Sequence, residues 1–131
     1  MSYQLTVEGV KMSEYRKLGV FVKSYELSIS LYRYTKHLPK EERYGLVSQI
    51  RRASTSIPLN IAEGYGKDDT KRETVRYLRM AKGSCAELSV LLDMCNDLNL
   101  MEDVAHCKYM KCIEEISKML YGLIKSFQTH N

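Results

Sequence analysis

The amino-acid sequence predicts an all-α protein, folded as an antiparallel up-down-up-down four-helix bundle. Apolar residues recur every three or four positions in four long segments, which is the period of a helix face. Short connections join these segments, and short connections favour antiparallel packing of consecutive helices. No segment alternates between apolar and polar residues in the way a half-buried strand does, so we expect no sheet.

The first helix is predicted to begin near Ser13, a candidate N-cap residue, and to end at His37, just before Pro39. We expect residues 1–12 to form a flexible N-terminal arm and residues 13–131 to form a single domain. The predicted core stripe of this helix comprises Leu18, Val22, Tyr25, Ile29 and Tyr32. A further apolar set, which indicates contacts with loops, the outer wall of the core or an interface with another copy of the chain, comprises Val20, Phe21, Leu27, Leu31 and Tyr34.

The second helix is predicted to begin near Glu41 and Glu42 and to end at Gly64–Gly66. Its core face comprises Leu46, Ile50, Ala53, Ile57 and Ile61. Pro58 lies inside this pattern and leaves the Ser54 carbonyl without its helical partner, which costs about 3 kcal/mol in a helix interior. We therefore predict a kink, with the freed backbone groups bonded by the polar side chains of Ser54, Thr55, Ser56 and Asn60.

The third helix is predicted to start at the capping-box sequence Thr70-Lys-Arg-Glu73 and to close at Asp97-Leu-Asn99. Its apolar stripe comprises Leu78, Ala81, Cys85, Leu88, Leu92 and Cys95. The fourth helix starts near Glu102, and its stripe comprises Tyr109, Ile113, Ile116, Leu120, Leu123 and Phe127. The three-four spacing of both stripes favours near-antiparallel packing at about 20°.

Motifs along most of the chain resemble the signature of the 23S rRNA-intervening-sequence proteins. The longest motif lies in the second helix and reads Ser48-Gln-Ile-Arg-Arg-Ala53, Ser56-Ile-Pro58 and Asn60-Ile-Ala-Glu-Gly-Tyr-Gly66. Shorter matches are Pro39–Leu46, Gly83–Leu88, Asp97-Leu98 and Met119–Ser126, so the resemblance covers roughly residues 15–127. Phe21 stands where the family usually carries a tryptophan, a change that keeps an aromatic ring.

The resemblance implies a four-helix bundle that self-associates, often as a closed pentameric ring, and that is associated with ribosomal RNA or its processing. The bundle is also similar to the accessory proteins of diversity-generating retroelements, which bind nucleic acid and a reverse transcriptase. The partners that the resemblance implies are therefore further copies of the chain, RNA, and a reverse transcriptase or another RNA-handling protein.

Charge is unevenly distributed in this sequence. The net charge is +4, but residues 1–82 sum to +7 and residues 83–131 to −3. The third helix repeats this split, because its basic residues precede its acidic residues Glu87, Asp93 and Asp97. Cations near a helix N-terminus oppose the macrodipole by about 0.3–1 kcal/mol each, so helix stability does not explain the arrangement.

Three explanations of the basic half remain open, and the first two are compatible. Basic side chains beside a helix N-terminus can bind the phosphates of a nucleic acid. Alternatively, the basic half of one protomer meets the acidic half of the next in a head-to-tail contact, or the charges only form a solvated face. The candidate nucleic-acid-binding residues are Arg51, Arg52, Lys71, Arg72, Arg76, Arg79 and Lys82.

No arrangement of residues in the sequence indicates catalysis, a cofactor or a metal site. His37, His106 and His130 are not spaced to share a helix face, and neither a Glu-x-x-His pair nor a glycine-rich phosphate loop is present. We interpret the four cysteines as reduced core residues, with a zinc site as the less favoured alternative. Because we find no secretory signal and no apolar run of about 18 residues, we expect a cytoplasmic protein without a membrane partner.

Overall fold

The computed structural model describes residues 14–66 and 70–128; the predicted arm, residues 1–12, and the predicted N-cap Ser13 lie outside the described residues. Four α-helices form the fold, namely α1 (Gly19–Thr35), α2 (Ser48–Gly66), α3 (Lys71–Asp97) and α4 (Asp103–Gln128). A 3₁₀ turn at Glu14–Lys17 precedes α1, and the described ranges contain no strand. The predicted all-α fold with four helices is therefore confirmed.

Side-chain contacts show that neighbouring helices run in opposite directions. Lys23 of α1 lies 2.9 Å from Glu115 of α4. Further along α1, Ser30 is hydrogen bonded to Tyr109 of α4 at 2.7 Å, so partner numbers fall as α1 numbers rise. The helices α2 and α3 behave in the same way, as do α3 and α4, and each helix packs against its two neighbours in an up-down-up-down order.

The core lies along the bundle axis and takes side chains from all four helices. Its largest fully buried side chains are Leu31, Ile50, Ile57, Ile61, Leu78, Leu88, Leu92, Ile116 and Leu120. The stripes predicted for the second, third and fourth helices supply most of these residues. Burial of large aliphatic side chains from every helix, at about 1.5–3 kcal/mol each, is the main force that holds the bundle together.

The predicted core face of the first helix is wrong. The buried residues of α1 include Val20, Leu27 and Leu31, whereas the predicted stripe is largely solvent-exposed. Val22, Tyr25, Ile29 and Tyr32 have exposed fractions of 41, 52, 38 and 47%. The buried face of α1 is hard to recognise in the sequence because it contains the polar residue Ser24. The Ser24 hydroxyl donates to the Phe21 carbonyl at 3.1 Å, and this hydrogen bond allows Ser24 to be buried.

The approach to α2 is more irregular than the prediction. Residues 40–42 form a 3₁₀ turn and residues 43–47 a π turn, so the regular α-helix begins at Ser48 rather than near Glu41. Gly45, with φ −107° and ψ −107°, has a non-helical backbone within the π turn. The chain therefore changes its helical pitch twice before α2 becomes regular.

The helix α2 continues through Pro58 without breaking. Thr55 donates to the Arg51 carbonyl at 2.8 Å, and the Asn60 amide donates to the Ser56 carbonyl at 2.8 Å. These side chains bond to backbone carbonyls near the proline, as expected for buried polar groups, but their acceptors are not the Ser54 carbonyl itself. That part of the prediction is corrected, because each short side chain reaches the carbonyl three or four residues before it on the same helix.

The N-terminus of α3 follows the capping-box prediction. Thr70 is the N-cap residue, and its hydroxyl accepts a hydrogen bond from the Glu73 backbone N–H at 3.2 Å. At the other end, Asn99 adopts the left-handed conformation with φ 62°, and the Leu100 N–H donates to the Cys95 carbonyl at 2.8 Å. This turn reverses the chain into α4.

The helices α2 and α3 approach each other closely at Gly64. A Cβ atom on Gly64 would lie 3.1 Å from the Tyr77 Cβ and 3.3 Å from the Thr74 carbonyl oxygen. Thr74 also donates its hydroxyl hydrogen bond to the Gly64 carbonyl at 2.9 Å, which locks the two helices together. A side chain at this position must therefore push α3 away from α2.

We expect Gly64→Ala to be less stable than Gly122→Ala by about 1–3 kcal/mol, the usual penalty for overpacking. Gly122 is the matched control, because a Cβ there meets nothing within 4 Å, so its replacement brings only the gain in helix propensity, about 1 kcal/mol. Urea denaturation of both variants measures the difference. Equal stabilities would show that α3 can move aside at no cost.

Candidate nucleic-acid interface

Arg51 is used within the chain to hold the end of α1. Its Nε donates to the Thr35 hydroxyl at 2.9 Å, and its Nη2 donates to the Tyr32 carbonyl at 3.1 Å. The guanidinium carbon also lies 3.8 Å from the centroid of the Tyr32 ring, a cation–π contact. Arg51 thus donates hydrogen bonds to two acceptors in the last turn of α1, the part of a helix where backbone carbonyls lack helical partners.

Arg52, the next residue, points to a different side of α2. Its side chain is 72% exposed, and its Nη2 lies 3.9 Å from a Glu87 carboxylate oxygen, a weak surface ion pair. Glu87 is 15 residues after Arg72 on α3, or about 22 Å along the helix axis. Arg52 therefore lies well apart from the N-terminal arginines of α3.

Arg76 is bound by its own helix neighbour. Its Nε lies 3.3 and 3.2 Å from the two Glu73 carboxylate oxygens, and its Nη2 lies 3.1 Å from one of them. This hydrogen bonding, together with the negative charge of Glu73, raises the pKa of Arg76. The guanidinium also lies 4.6 Å from the Tyr77 ring centroid, so Arg76 has partners on its own helix.

Arg72 and Arg79 are exposed and form no ion pair, hydrogen bond or ring contact within the described ranges. They are seven residues apart, which places them on one face of α3 about 10.5 Å from each other. Lys71 is exposed and Lys82 half-buried on the same half of the helix. The structure therefore brings the five α3 cations into one basic surface, which we define as Lys71, Arg72, Arg76, Arg79 and Lys82.

The chain matches the family of 23S rRNA-intervening sequence proteins over residues 16–122. The chain belongs to this family. Its fold is similar to the crystal structure of a protein of unknown function from the S23 ribosomal protein family of Bacteroides thetaiotaomicron VPI-5482. The two share 22% sequence identity at a TM-score of 0.73, and the match covers 81% of this chain and 98% of the other. Among proteins of curated function, none matches the chain.

The cysteines of this family member fall into two classes. Cys85 and Cys95 are buried, as predicted for core residues, and burial raises the pKa of Cys85 to about 12. Cys112 is half-buried and packs against the core, whereas Cys107 is exposed, so the interpretation of Cys107 as a core residue is corrected. Both lie on faces of α4 that α3 and α1 do not fully cover, and the four thiols are free.

His106 has a partner that the sequence did not reveal. Its Nε2 lies 2.8 Å from Asp93 Oδ1, across the packed pair α3 and α4. Within residues 14–66 and 70–128, no three His, Cys, Asp or Glu side chains are grouped as metal ligands. Of the helices in these ranges, none combines the length and hydrophobicity needed to cross a bilayer.

Proposed function

We propose that this 23S rRNA-intervening sequence protein is a non-enzymatic, cytoplasmic homo-oligomer that binds RNA through the basic surface of α3. The observation that carries the proposal is the pair Arg72 and Arg79, two exposed arginines on one helix face without carboxylate partners among the described residues. Arginine guanidinium groups in this state are available to phosphate oxygens, which they bind in bidentate geometry.

The placement of the basic surface supports a role in anion binding. Its first residues, Lys71 and Arg72, lie in the first turn of α3, where the free backbone N–H groups and the helix macrodipole favour negative charge. Cations at this end weaken the isolated helix, and a bound phosphate would convert that unfavourable interaction into a favourable one. The family resemblance makes RNA the expected source of the phosphates and an RNA-handling protein, a reverse transcriptase included, a further partner.

The remaining candidate residues contribute unequally in this proposal. Arg51 is bound to Thr35 and Tyr32, and Arg76 to Glu73, so both act mainly by shaping the surface. Arg52 of α2 lies beside Glu87, about 22 Å along α3 from Arg72 and about 12 Å from Arg79, so it joins the same group of phosphates only if the RNA follows α3 toward Glu87. We therefore assign the largest share of the binding free energy to Arg72 and Arg79.

The test is a salt series of RNA binding by the double variant Arg72→Ala/Arg79→Ala. A fluorescently labelled RNA hairpin is titrated with protein, and anisotropy is measured at several salt concentrations. Removing two phosphate contacts should lower the slope of log K against log salt by about 1.4–1.8, since each contact contributes roughly 0.7–0.9. Circular dichroism checks that the variant keeps its helix content.

The matched control is Lys118→Ala/Lys125→Ala, which removes the same charge from exposed positions of α4. The proposal requires this control to keep nearly the wild-type slope. It fails if wild-type protein does not bind RNA at low salt, or if the control loses as much as the α3 variant. In the second case the binding would reflect net charge rather than a defined surface.

A second function, a structural interaction module without a nucleic-acid role, is favoured by the charge reversal within α3. In this alternative the arginines hold neighbouring protomers together by contacting the acidic half of the next α3. Light scattering of the α3 double variant separates the two functions. An unchanged oligomer mass with weakened RNA binding supports the proposal, and a reduced mass without RNA binding by the wild type supports the alternative.

A further inference from the structure

The exposed stripe of α1 has the spacing of a coiled-coil seam. We define it by Val22, Tyr25, Ile29 and Tyr32, which alternate three and four residues apart. Val22 and Ile29 are β-branched and occupy equivalent heptad positions, a preference typical of two helices packed in parallel. Among the residues that the structure describes, Arg51 of α2 stacks on the Tyr32 ring, and the four side chains of the stripe remain 38–52% exposed.

The exposed face of α3 carries a second apolar stripe, on the opposite side of the bundle. We define it by Met80, Gly83, Val90 and Met94, and the three larger side chains have exposed fractions of 46, 57 and 46%. Glu87, whose carboxylate lies 3.9 Å from Arg52, occupies the position between Gly83 and Val90 on the same face, so a charge divides the stripe. A Cβ atom on Gly83 would meet nothing within 4 Å, so this position leaves a gap in the stripe. Such a gap can accept a large side chain from outside, as a hole accepts a knob.

The two stripes lie at the same height in the bundle and their helices run in the same direction. Ser30 of α1 is hydrogen bonded to Tyr109 of α4. His106, which lies one helical turn from Tyr109 on α4, is hydrogen bonded to Asp93 of α3. Arg33, one turn after Ser30, therefore lies level with Asp93. By the same register, Val22 and Ile29 of α1 lie within about one turn of Gly83 and Val90.

The charges beside the C-terminal ends of the two stripes are complementary, whereas Glu26 and Glu87, nearer the middle of the stripes, are both acidic. Arg33 and Lys36 flank the C-terminal end of the α1 stripe, and Asp93 and Asp97 flank the C-terminal end of the α3 stripe. Arg33 and Asp97 are exposed, and neither forms an ion pair within the described residues. A parallel approach of α1 to the α3 of another copy would bring these unlike charges together.

We propose that the α1 stripe of one copy packs against the α3 stripe of the next copy, with the two helices parallel. The proposal rests on the self-association in the proposed function and names the surfaces that produce it. Because the two surfaces differ, the contact is head-to-tail, and it forms a ring when its rotation closes. Lys71, Arg72 and Arg76 lie before the N-terminal end of the stripe and stay accessible to RNA, whereas Arg79 and Lys82 lie beside the stripe at the edge of the contact.

The test uses the variants Ile29→Arg and Val90→Arg, each of which places a charge in one stripe. Each variant alone should have the mass of a single chain, 15.2 kDa, by multi-angle light scattering. Mixed in equal amounts, they should form a dimer of one chain of each. The intact α3 stripe of the first binds the intact α1 stripe of the second, and the two damaged stripes cap the ends.

The control variant is Val104→Arg on α4, at a residue that is 80% exposed and belongs to neither stripe. It should keep the wild-type mass, and circular dichroism should give the same helix content for all variants. A symmetric α1–α1 contact would leave Val90→Arg at the wild-type mass and would overturn the proposal. A mixture that remains monomeric would do the same.

If the wild-type protein is monomeric at every concentration, both the α1–α3 contact and the self-association on which it rests are contradicted. It would leave the RNA titration above as a separate measurement, so failure of one proposal does not decide the other. An oligomer that survives both stripe variants would instead retain self-association and overturn only the α1–α3 contact.

Discussion

Replacing Ile57 with alanine is expected to lower the free energy of unfolding by about 2–5 kcal/mol. Ile57 is fully buried at the centre of α2, where its side chain contacts the core between the helices. The adjacent Pro58 restricts the backbone, and Asn60 ties the same turn to the Ser56 carbonyl. The surroundings therefore have little freedom to collapse into the cavity, which places the expected loss in the upper part of this range.

Urea denaturation at one fixed protein concentration measures this loss, since the stability of an oligomer depends on concentration. Val104→Ala on α4 is the control, because its side chain is 80% exposed and should change stability by no more than about 0.5 kcal/mol. Similar losses in the two variants would contradict the assignment of α2 to the core. A change in the denaturant slope would instead indicate a change in the surface exposed on unfolding or a departure from a two-state transition.

The helices themselves could be predicted because apolar periodicity and capping are local. The Thr70 hydroxyl caps the N–H of Glu73, three positions away, and the buried stripes repeat over about six turns of α3 and about four turns of α4. The face of α1 could not be predicted, because two apolar sets satisfy the same period. The buried one contains Ser24, whose burial depends on a hydrogen bond that composition does not reveal.

The candidate site could be predicted only where partners are close in sequence. Glu73 and Arg76 are three positions apart on one helix, a spacing that permits an ion pair. Arg51 and Arg52 are equivalent in composition, yet Arg51 bonds to Thr35 on α1 while Arg52 approaches Glu87 on α3. Their separation follows from the bundle geometry, which decides what lies on either side of α2.

Replacing Arg51 with alanine is expected to destabilise the protein by about 1.5–3 kcal/mol, the range for hydrogen bonds made by charged groups. The change removes both donors to the end of α1 and the guanidinium that stacks on Tyr32. Arg52→Ala removes an identical side chain from the adjacent position and should cost at most about 1 kcal/mol, because its ion pair with Glu87 is long and exposed. Thermal and urea denaturation of the two variants give the comparison.

A third variant, Arg51→Lys, separates the charge from the shape of the side chain. Lysine keeps the positive charge but lacks the planar guanidinium that reaches Thr35 and Tyr32 together, so only part of the stability should return. Full recovery of stability would mean that a positive charge near the C-terminus of α1 is sufficient. Equal losses for Arg51→Ala and Arg52→Ala would contradict the capping role of Arg51.

Because Tyr32 belongs to the α1 stripe, Arg51→Ala should also weaken self-association. It should leave unchanged the salt dependence of RNA binding that the α3 arginines contribute. An arginine in the family's most recognisable motif would then act through the fold and the assembly rather than through phosphate contact.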